Sequence, residues 1–409
     1  MDLPTISFDN TEVAFSHKTT SELKEAYRLF SLMSYPWLVR IGTGITPWMI
    51  GAGLPVHSLV KKTIFKQFVG GETLSETAAI AQKLSASNVQ VILDYGAEGK
   101  TGEVAFDHAR DEFIKVIEYA SSQPTIPYMS IKVTGFARFS LLEEIDARMH
   151  ASNADSLVKR FQAALDTLSS DEVEEWKRVY NRMRNICEVA YKKNVGVLVD
   201  AEESWVQDPV DALTMLVMDE FNKTRLVLYN TVQLYRHDRL DFLKKMHRAA
   251  RDRDFLLGVK LVRGAYMEKE RARATEKNYE SPIQESKSAT DADFNSAVRY
   301  CVEYADRIAA IVATHNEQSN LFAVQLMDQK GLPLNHPHFH FSQLYGMSDN
   351  ITYNLARAGC NVSKYLPFGP IKDVIPYLMR RAQENTSVKG QTGRELALIE
   401  KELQRRRES

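Results

Sequence analysis

The chain has 409 residues, 44% of them hydrophobic, so it is long enough to bury a large core. It carries 52 lysines and arginines against 53 aspartates and glutamates, and this balance argues against a nucleic-acid-binding protein, which would show a basic surplus. The three cysteines, Cys187, Cys301 and Cys360, form neither a CxxC pair nor a disulfide framework, which suits a reducing compartment.

The N-terminal region predicts a helical arm over residues 1–85. An amphipathic helix is expected over residues 20–40, and further helix over 57–90 around a Gly-Gly loop at 69–73. No basic region followed by an apolar core begins the chain, so neither a secretory signal nor a transit peptide is expected. The expected location is therefore the cytoplasm, or the mitochondrial matrix for a mature eukaryotic chain.

The stretch from Ile41 to Val60 contains no charged residue and has about the length of a membrane span. It also contains several glycines and prolines, which disfavour a continuous helix. We therefore predict a buried connector, with membrane contact as the alternative.

After the arm, eight short apolar runs rich in β-branched residues alternate with helical patterns, including a long charged pattern from Ser156 to Lys193. The runs span residues 89–95, 129–133, 195–200, 225–232, 256–262, 309–314, 336–342 and 361–366. Eight apolar strands with helical crossovers predict an α/β fold, a (β/α)8 TIM-like barrel over residues 86–390. A charged C-terminal helix is expected over 391–409.

Polar and ionisable residues collect at or just beyond the C-terminal ends of these runs. They are Asp94, Glu98, Lys132, Asp200, Glu202, Glu203, Gln233, Lys260, Arg263, Tyr266, His315, Asn316, Gln343 and Tyr365. Barrel enzymes carry their chemistry at this end of the strands, so the distribution indicates an active site there.

A helix is predicted over Tyr377–Asn385, which has no Gly or Pro and is rich in helix formers. Tyr377, Arg380, Arg381 and Glu384 fall within roughly 100° of one another on its surface. Two adjacent guanidinium groups match a carboxylate or a phosphate, so this face is a candidate anion site. The alternative is a surface helix with ordinary ion pairs.

No dinucleotide or phosphate-loop motif is present. The nearest match, at residues 42–47, has Pro47 in place of the third glycine and no preceding strand, so a Rossmann site is rejected. Any cofactor must therefore be held by the loops of the barrel.

A metal site is the main rival hypothesis. Strand alternation would place His336, His338 and His340 on one face, and Asp200 and His315 could join them in a metal-dependent hydrolase. These histidines begin their strand instead of ending it, which argues against the site, and no metal ligand is assigned. The pair at 315–316 can also simply cap the next helix.

Motifs along nearly the whole chain resemble those of the proline dehydrogenase family, which are flavin-dependent barrel enzymes. In order they are LDYGAE at 93–98, SIKVTG at 130–135, DAEES at 200–204, YNTVQLY at 229–235, VKLVRGAY at 259–266, ATHN at 313–316, SQLYGM at 342–347, KYLPFG at 364–369 and YLMRRAQEN at 377–385. Several independent matches in register make the resemblance specific.

The resemblance implies a substrate site for proline. Its residues are Glu98, Lys132, Asp200, Tyr266, Leu344, Tyr365, Tyr377, Arg380, Arg381 and Glu384. Arg380 and Arg381 would clasp the carboxylate with the help of Lys132. Glu384 would orient an arginine, and Glu98 would pair with Arg380 as a gate over the substrate. The tyrosines and the leucine would form apolar walls, and the aspartate would support the polar layer.

The resemblance also implies FAD as the cofactor. The residues expected to contact it are Gln233, Lys260, Val262, Arg263, Gly264, Thr314, His315 and Asn316. Some family members have arginine at the position of Lys260, so lysine here keeps the charge but loses the forked geometry.

The implied reaction is oxidation of L-proline to Δ1-pyrroline-5-carboxylate by hydride transfer from C5 to the flavin N5. The implied partners are a membrane quinone, reached by peripheral contact with the inner membrane, and a pyrroline-5-carboxylate dehydrogenase that receives the product. Tyr365 favours proline over 4-hydroxyproline, because relatives specialised for hydroxyproline tend to have a smaller residue there. A metal-dependent barrel hydrolase and a non-catalytic flavin or proline sensor are the alternatives.

Overall fold

The structure is a computed structural model that describes residues 6–35, 37, 60–96, 101–387 and 391–408, without the side chains of 383–387 and 391. The uncharged stretch from Ile41 therefore lies outside the described residues except at Val60, and the predicted gate residue Glu98 lies outside them as well. None of the helices in the described residues combines the length and the hydrophobicity that a membrane span requires.

Eight parallel strands form a closed barrel in chain order, which confirms the predicted fold. The strands are β1 (Gln90–Tyr95), β2 (Tyr128–Ile131), β3 (Gly196–Val199), β4 (Leu228–Gln233), β5 (Leu257–Val262), β6 (Ile308–Ala313), β7 (Phe339–Leu344) and β8 (Val362–Phe368). Each falls on a predicted run, with ends displaced by a few residues, as is usual for element boundaries. In the pairing of β1 with β8, Gln90 lies opposite Ser363 and Tyr95 opposite Phe368.

The strands are buried except at some of their end residues, but they are not uniformly apolar. Asn230 in β4, Lys260 in β5 and Lys364 in β8 are each no more than 5% exposed. A buried charge must be paired because its desolvation is costly. The two lysines therefore indicate positions where charged or polar partners lie inside the fold.

Helices connect the strands. In the described residues they are α1 (Thr11–Ala14), α2 (Thr20–Met33), a π-helical turn (Lys61–Phe65) continued by α3 (Lys66–Phe68), α4 (Leu74–Ser85), α5 (Glu103–Ser121), α6 (Phe139–Ala151), α7 (Leu157–Leu165), α8 (Ser170–Lys193), α9 (Ser204–Phe221), α10 (Arg239–Asp252), α11 (Met267–Lys277), α12 (Lys287–Glu303), α13 (Glu317–Gln329), α14 (Asp349–Arg357), α15 (Ile371–Ser387) and α16 (Gln391–Glu408). The predicted arginine-bearing helix is α15, and the predicted C-terminal helix is α16.

Two helix predictions differ from the structure. The helix predicted over 20–40 ends at Met33, and the single helix predicted from Ser156 to Lys193 is two helices, α7 and α8. The break occurs because Ser169 caps α8: its hydroxyl accepts from the Glu172 backbone N–H, and the Glu172 carboxylate accepts from the Ser169 N–H in return.

The chain divides into two compact units, which we treat separately. The terminal unit comprises Met1–Gly96, His315–Glu317 and Phe341–Ser409, and the central unit comprises Ala97–Thr314 and Gln318–His340. The predicted division into arm, barrel and C-terminal helix stays a prediction.

In the terminal unit, a hydrophobic core of described residues joins both ends of the sequence. Its buried members include Phe30 of α2, Phe68 of α3, Leu378 of α15 and Leu398 of α16. Full burial of such a side chain contributes about 1.5–3 kcal/mol, so this core holds α15 and α16 firmly against the N-terminal helices.

Candidate active site

In the central unit, one buried carboxylate meets two lysines. Asp200 follows β3 directly, Lys132 follows β2, and Lys260 lies within β5. The Lys260 ammonium donates a hydrogen bond to Asp200 Oδ1, and the Lys132 Nζ lies 3.7 Å from Asp200 Oδ2. These three predicted residues therefore come together.

Glu202, which the strand-end pattern included but to which the family resemblance gave no role, supports this group. It is 5% exposed, and its carboxylate accepts from the Thr134 hydroxyl at 2.6 Å. Burial raises the pKa of Glu202 to about 7, against the opposing effects of Thr134 and Lys132. Its backbone oxygen accepts from the side-chain amide of Gln233 at 2.8 Å, so Glu202 also orients a predicted cofactor residue.

Arg263 lies directly after β5 and is held on three sides. Its Nε donates to Asp291 at 2.7 Å, its Nη1 to the Thr314 hydroxyl at 2.6 Å and its Nη2 to the Ser319 hydroxyl at 3.0 Å. The guanidinium carbon lies 4.4 Å from the centre of the Phe294 ring. Burial lowers the pKa of Arg263, and Asp291 opposes that effect.

Arg263 and Thr314 were predicted together, but their supports were missed. Asp291 and Phe294 lie on α12 and Ser319 lies on α13, away from any strand end, so the strand-end rule could not find them.

The backbone after β5 requires glycine. Gly264 has a φ of +141°, and a Cβ there would lie 2.4 Å from the Tyr235 ring. Val262, the last residue of β5, lies opposite Gln233 in the β4–β5 pairing. Tyr266 is 8% exposed and precedes α11.

In the terminal unit, the histidine of the ATHN motif contacts a serine. His315 Nδ1 lies 2.8 Å from the Ser348 hydroxyl oxygen. Asn316 lies between His315 and the first residue of α13. Ser348 follows the SQLYGM motif, so the motif itself was the signal that could have found it.

Two predicted wall residues lie side by side on neighbouring strands. Leu344 is opposite Tyr365 in the pairing of β7 with β8. The Tyr345 backbone N–H donates to the Tyr365 backbone carbonyl oxygen at 2.9 Å. Tyr365 is 9% exposed and so presents little of its ring to solvent.

The helix α15 buries the tyrosine and one arginine of the predicted anion site. Tyr377 and Arg381 are 8% and 6% exposed, and the Arg381 guanidinium carbon lies 5.2 Å from the centre of the Tyr377 ring. Arg380 is half-buried on the same helix. Glu384 also lies in α15, but its side chain is outside the described part of the chain. Cation–π contact with an aromatic face orients a guanidinium, so Arg381 has a defined position.

The histidines of the metal hypothesis do not share a strand face. His336 and His338 precede β7, and only His340 lies within it. The His340 ring stacks edge-on with Tyr128, with centroids 5.2 Å apart, and burial lowers its pKa to about 3. Because Asp200 is engaged by lysines, the arrangement gives no support to a metal-dependent hydrolase at these residues.

In the described residues, another group has the geometry to hold a metal ion, namely Asp146, His150 and Asp208. His150 Nδ1 lies 3.2 Å from Asp146 Oδ2, and Asp208 also meets Arg160 and Arg239 at 3.5 Å each. Since the two arginines already balance the negative charge of Asp208, we interpret the group as an ion-pair network that joins α6 to α9.

The family model described as Proline dehydrogenase matches residues 77–394. The chain belongs to the proline dehydrogenase family. It is 31% identical over 384 residues to "Proline dehydrogenase 1, mitochondrial" of Dictyostelium discoideum, covering 87% of this chain and 67% of that protein. It is also 31% identical over 423 residues to the hydroxyproline dehydrogenase of Xenopus laevis, covering 98% of this chain and 90% of that protein.

A solved structure shares the barrel of this proline dehydrogenase family member. Proline utilization A from Bdellovibrio bacteriovorus matches with a TM-score of 0.72 and 19% identity, covering 93% of this chain. The chain spans only 42% of that longer protein. At this identity the likeness shows the fold.

Proposed function

We propose that this chain oxidises L-proline to Δ1-pyrroline-5-carboxylate with bound FAD and passes the electrons to a membrane quinone. Membership of the proline dehydrogenase family supports an oxidoreductase that acts on proline. The observation that carries the proposal is the buried Arg381 stacked on Tyr377, with Arg380 beside it on one helix.

Two adjacent guanidinium groups form a suitable clamp for the carboxylate of an amino acid. Each offers forked N–H donors and keeps its positive charge at neutral pH. Because Arg381 is buried, its attraction for an anion is screened less than that of a surface arginine. In the proposal Lys132 adds a third cation, and Asp200 holds that lysine in place.

Aromatic and leucine side chains bind the pyrrolidine ring in this proposal. The ring of proline is apolar and rigid, so flat walls orient it at little entropic cost. The residues assigned to these walls are Tyr266, Leu344, Tyr365 and Tyr377. In the proposal the three tyrosines, which are buried, also keep water away from the reacting carbon.

The donor set fits FAD. The ends of β4, β5 and β6 carry an amide at Gln233, cations at Lys260 and Arg263 and a hydroxyl at Thr314, which suit the carbonyl groups and phosphates of a flavin dinucleotide. When bound, FAD supplies the two-electron acceptor for the hydride that leaves C5 of proline. The ring nitrogen loses its proton as the C=N bond forms.

The fixed position of Arg263 matters for this fit. Asp291, Thr314 and Ser319 hold its guanidinium, so its charge is preorganised for an anionic group. Val262, Gly264, His315 and Asn316 complete the proposed contacts. Lys260 supplies a positive charge close to Asp200, but it lacks the forked pair of N–H donors that an arginine would offer at this position.

A second candidate substrate is 4-hydroxyproline, because relatives named hydroxyproline dehydrogenase match nearly the whole chain. The large ring of Tyr365 leaves less room for a ring hydroxyl and favours proline. The proposed location is the cytoplasm with peripheral contact at the inner membrane, or the mitochondrial matrix in a eukaryote, with hand-off of product to a pyrroline-5-carboxylate dehydrogenase.

The clamp is tested by Arg381→Met. Loss of a charged hydrogen-bond donor costs about 1.5–3 kcal/mol of binding, so the KM for proline should rise about 10- to 100-fold. The Kd for FAD should stay within about threefold, because the proposed cofactor contacts are elsewhere. The matched control is Lys372→Met, which removes an exposed cation from the same helix and should leave both constants unchanged.

An unchanged KM in Arg381→Met would contradict the clamp. Tight binding of proline by the wild-type protein without any turnover would favour a sensor over an enzyme.

A further inference from the structure

The terminal unit contains a buried charge cluster that the proposed chemistry does not use. Lys364 of β8 is 1% exposed, and its Nζ lies 2.8 Å from Asp349 Oδ1. Lys18, from the segment before α2, places its Nζ 2.8 Å from Asp349 Oδ2. Although burial opposes the effect, these two lysines hold the pKa of Asp349 well below its ordinary value.

A second carboxylate enters this cluster from the C-terminal helix. Glu395 of α16 is 5% exposed and accepts a hydrogen bond from the backbone N–H of Ser348. Burial raises the pKa of Glu395 to about 7, and Asp349 adds to that rise, whereas the Ser348 N–H, Lys364 and Lys18 oppose it. A buried carboxylate aimed at one backbone N–H fixes that peptide group firmly.

Ser348 is held in an unusual conformation. Its φ of 51° and ψ of 44° place it in the left-handed region, which costs a non-glycine residue about 1–2 kcal/mol. The turn around it is fixed from three sides: Glu395 binds its N–H, Lys364 donates to the Met347 oxygen, and Gln67 donates to the Gly346 oxygen at 2.7 Å. Such strain persists only where the surroundings determine the backbone, and it is typical of functional sites.

The hydroxyl of this strained serine contacts His315. The distance of 2.8 Å between Ser348 Oγ and His315 Nδ1 is that of a good hydrogen bond. A hydrogen-bond partner on one ring nitrogen restrains the orientation of an imidazole. The position of Ser348 therefore restrains the orientation of the His315 ring.

We infer that Glu395 is a positioning residue for His315, acting through Ser348, and that the C-terminal helix thereby contributes to FAD binding. The inference rests on the proposed function, because it takes His315 as a contact of the flavin. If Glu395 had a purely structural role, as a counter-charge to Lys18 and Lys364, its removal would lower the stability of the fold. Any effect of that removal on FAD binding would then be the same with and without His315.

A double-mutant cycle separates these two roles. FAD is titrated into the full-length wild type, Glu395→Ala, His315→Ala and the double variant, with flavin fluorescence as the readout. We expect Glu395→Ala to raise the Kd about tenfold in the wild type and by less than about twofold in the His315→Ala background, because coupled residues are non-additive. Full additivity would overturn the inference.

Further variants guard against a general folding defect. Ser348→Ala keeps the Glu395 contact with the backbone but removes the hydroxyl, so it should weaken FAD binding as Glu395→Ala does. Glu395→Gln retains an acceptor oxygen and should stay within about threefold of the wild-type Kd. If Glu395→Gln weakened binding as much as Glu395→Ala, the charge and not the acceptor would matter, and the inference would be wrong.

The matched control is Glu402→Ala on the same helix. Glu402 is fully buried, but it pairs with Arg405 and Arg406 instead of Ser348. This variant should lower the Tm yet leave the Kd for FAD unchanged, and a tenfold rise in its Kd would overturn the inference. A wild-type chain that binds no FAD would sink the proposed function itself, whereas tight binding in wild type and Glu395→Ala alike would sink only the positioning role.

Discussion

At the scale of single residues, Asp200 is a buried carboxylate paired with two lysines. The Lys260 ammonium donates to one carboxylate oxygen of Asp200, and the Lys132 Nζ lies 3.7 Å from the other. Paired charges of this kind are costly to separate, because an unpartnered buried ammonium cannot recover its hydration. The aspartate therefore serves both stability and the placement of the lysines.

We predict that Asp200→Asn lowers the free energy of unfolding by about 3 kcal/mol, since it removes the charge that Asp200 presents to the buried Lys260 and the half-buried Lys132. Urea denaturation of the flavin-free protein measures the change. The control is Asp241→Asn, which breaks an exposed pair with Lys245 and should cost less than about 1 kcal/mol. Equal losses in the two variants would show that Asp200 is not a paired buried charge.

A second prediction at this scale concerns substrate choice. Tyr365→Ser removes a buried ring and opens space, so the ratio of kcat/KM for 4-hydroxyproline to that for proline should rise about tenfold or more. Steady-state assays with both substrates measure the ratio. Tyr304→Ser removes a ring that is 36% exposed and should leave the ratio unchanged. No change in Tyr365→Ser would remove this tyrosine from the specificity argument.

At the scale of elements, local sequence patterns predicted the strands and the residues at their ends. The eight strands follow from short apolar runs, and Lys132, Asp200 and Arg263 were found because they stand at strand ends. The capping box at Ser169 was visible in the sequence but was overridden by the long charged pattern around it. The contact of Glu395 with Ser348 joins residues 47 positions apart through a strained turn. Sequence patterns report local structure, so they could not predict this contact.

The link between α6 and α9 gives a prediction of pH dependence. The Asp146 carboxylate raises the pKa of His150 to about 9 from an ordinary value near 6.5. A pKa raised on folding stabilises the fold fully below the unfolded value and loses that effect as the pH rises through the folded value. His150→Ala should therefore lower the Tm at pH 6 but have little effect at pH 10.

Thermal unfolding at both pH values measures this difference. His108→Ala, at an exposed position on α5, should change the Tm much less than His150→Ala does at pH 6. A Tm loss in His150→Ala that is the same at pH 6 and pH 10 would show that packing, not charge, links the two helices.

At the scale of the whole molecule, the two ends of the sequence belong to one unit. Arg406 near the C-terminus donates to the backbone oxygens of Phe15 and Lys18 at 2.8 Å each, and α16 packs against α2. The predicted arm and the predicted C-terminal helix thus share a core with the arginine-bearing α15. Sequence order gave no sign of this arrangement, because it depends on contacts between residues almost 400 positions apart.

The central claim, that this protein transfers hydride from proline to FAD, is tested most directly by the visible absorbance spectrum of the purified protein without oxygen. We predict flavin bands that bleach when L-proline is added and return when a quinone analogue is supplied. Flavin bands that persist in excess L-proline, or a protein that shows no flavin bands even after FAD is added, would contradict the claim.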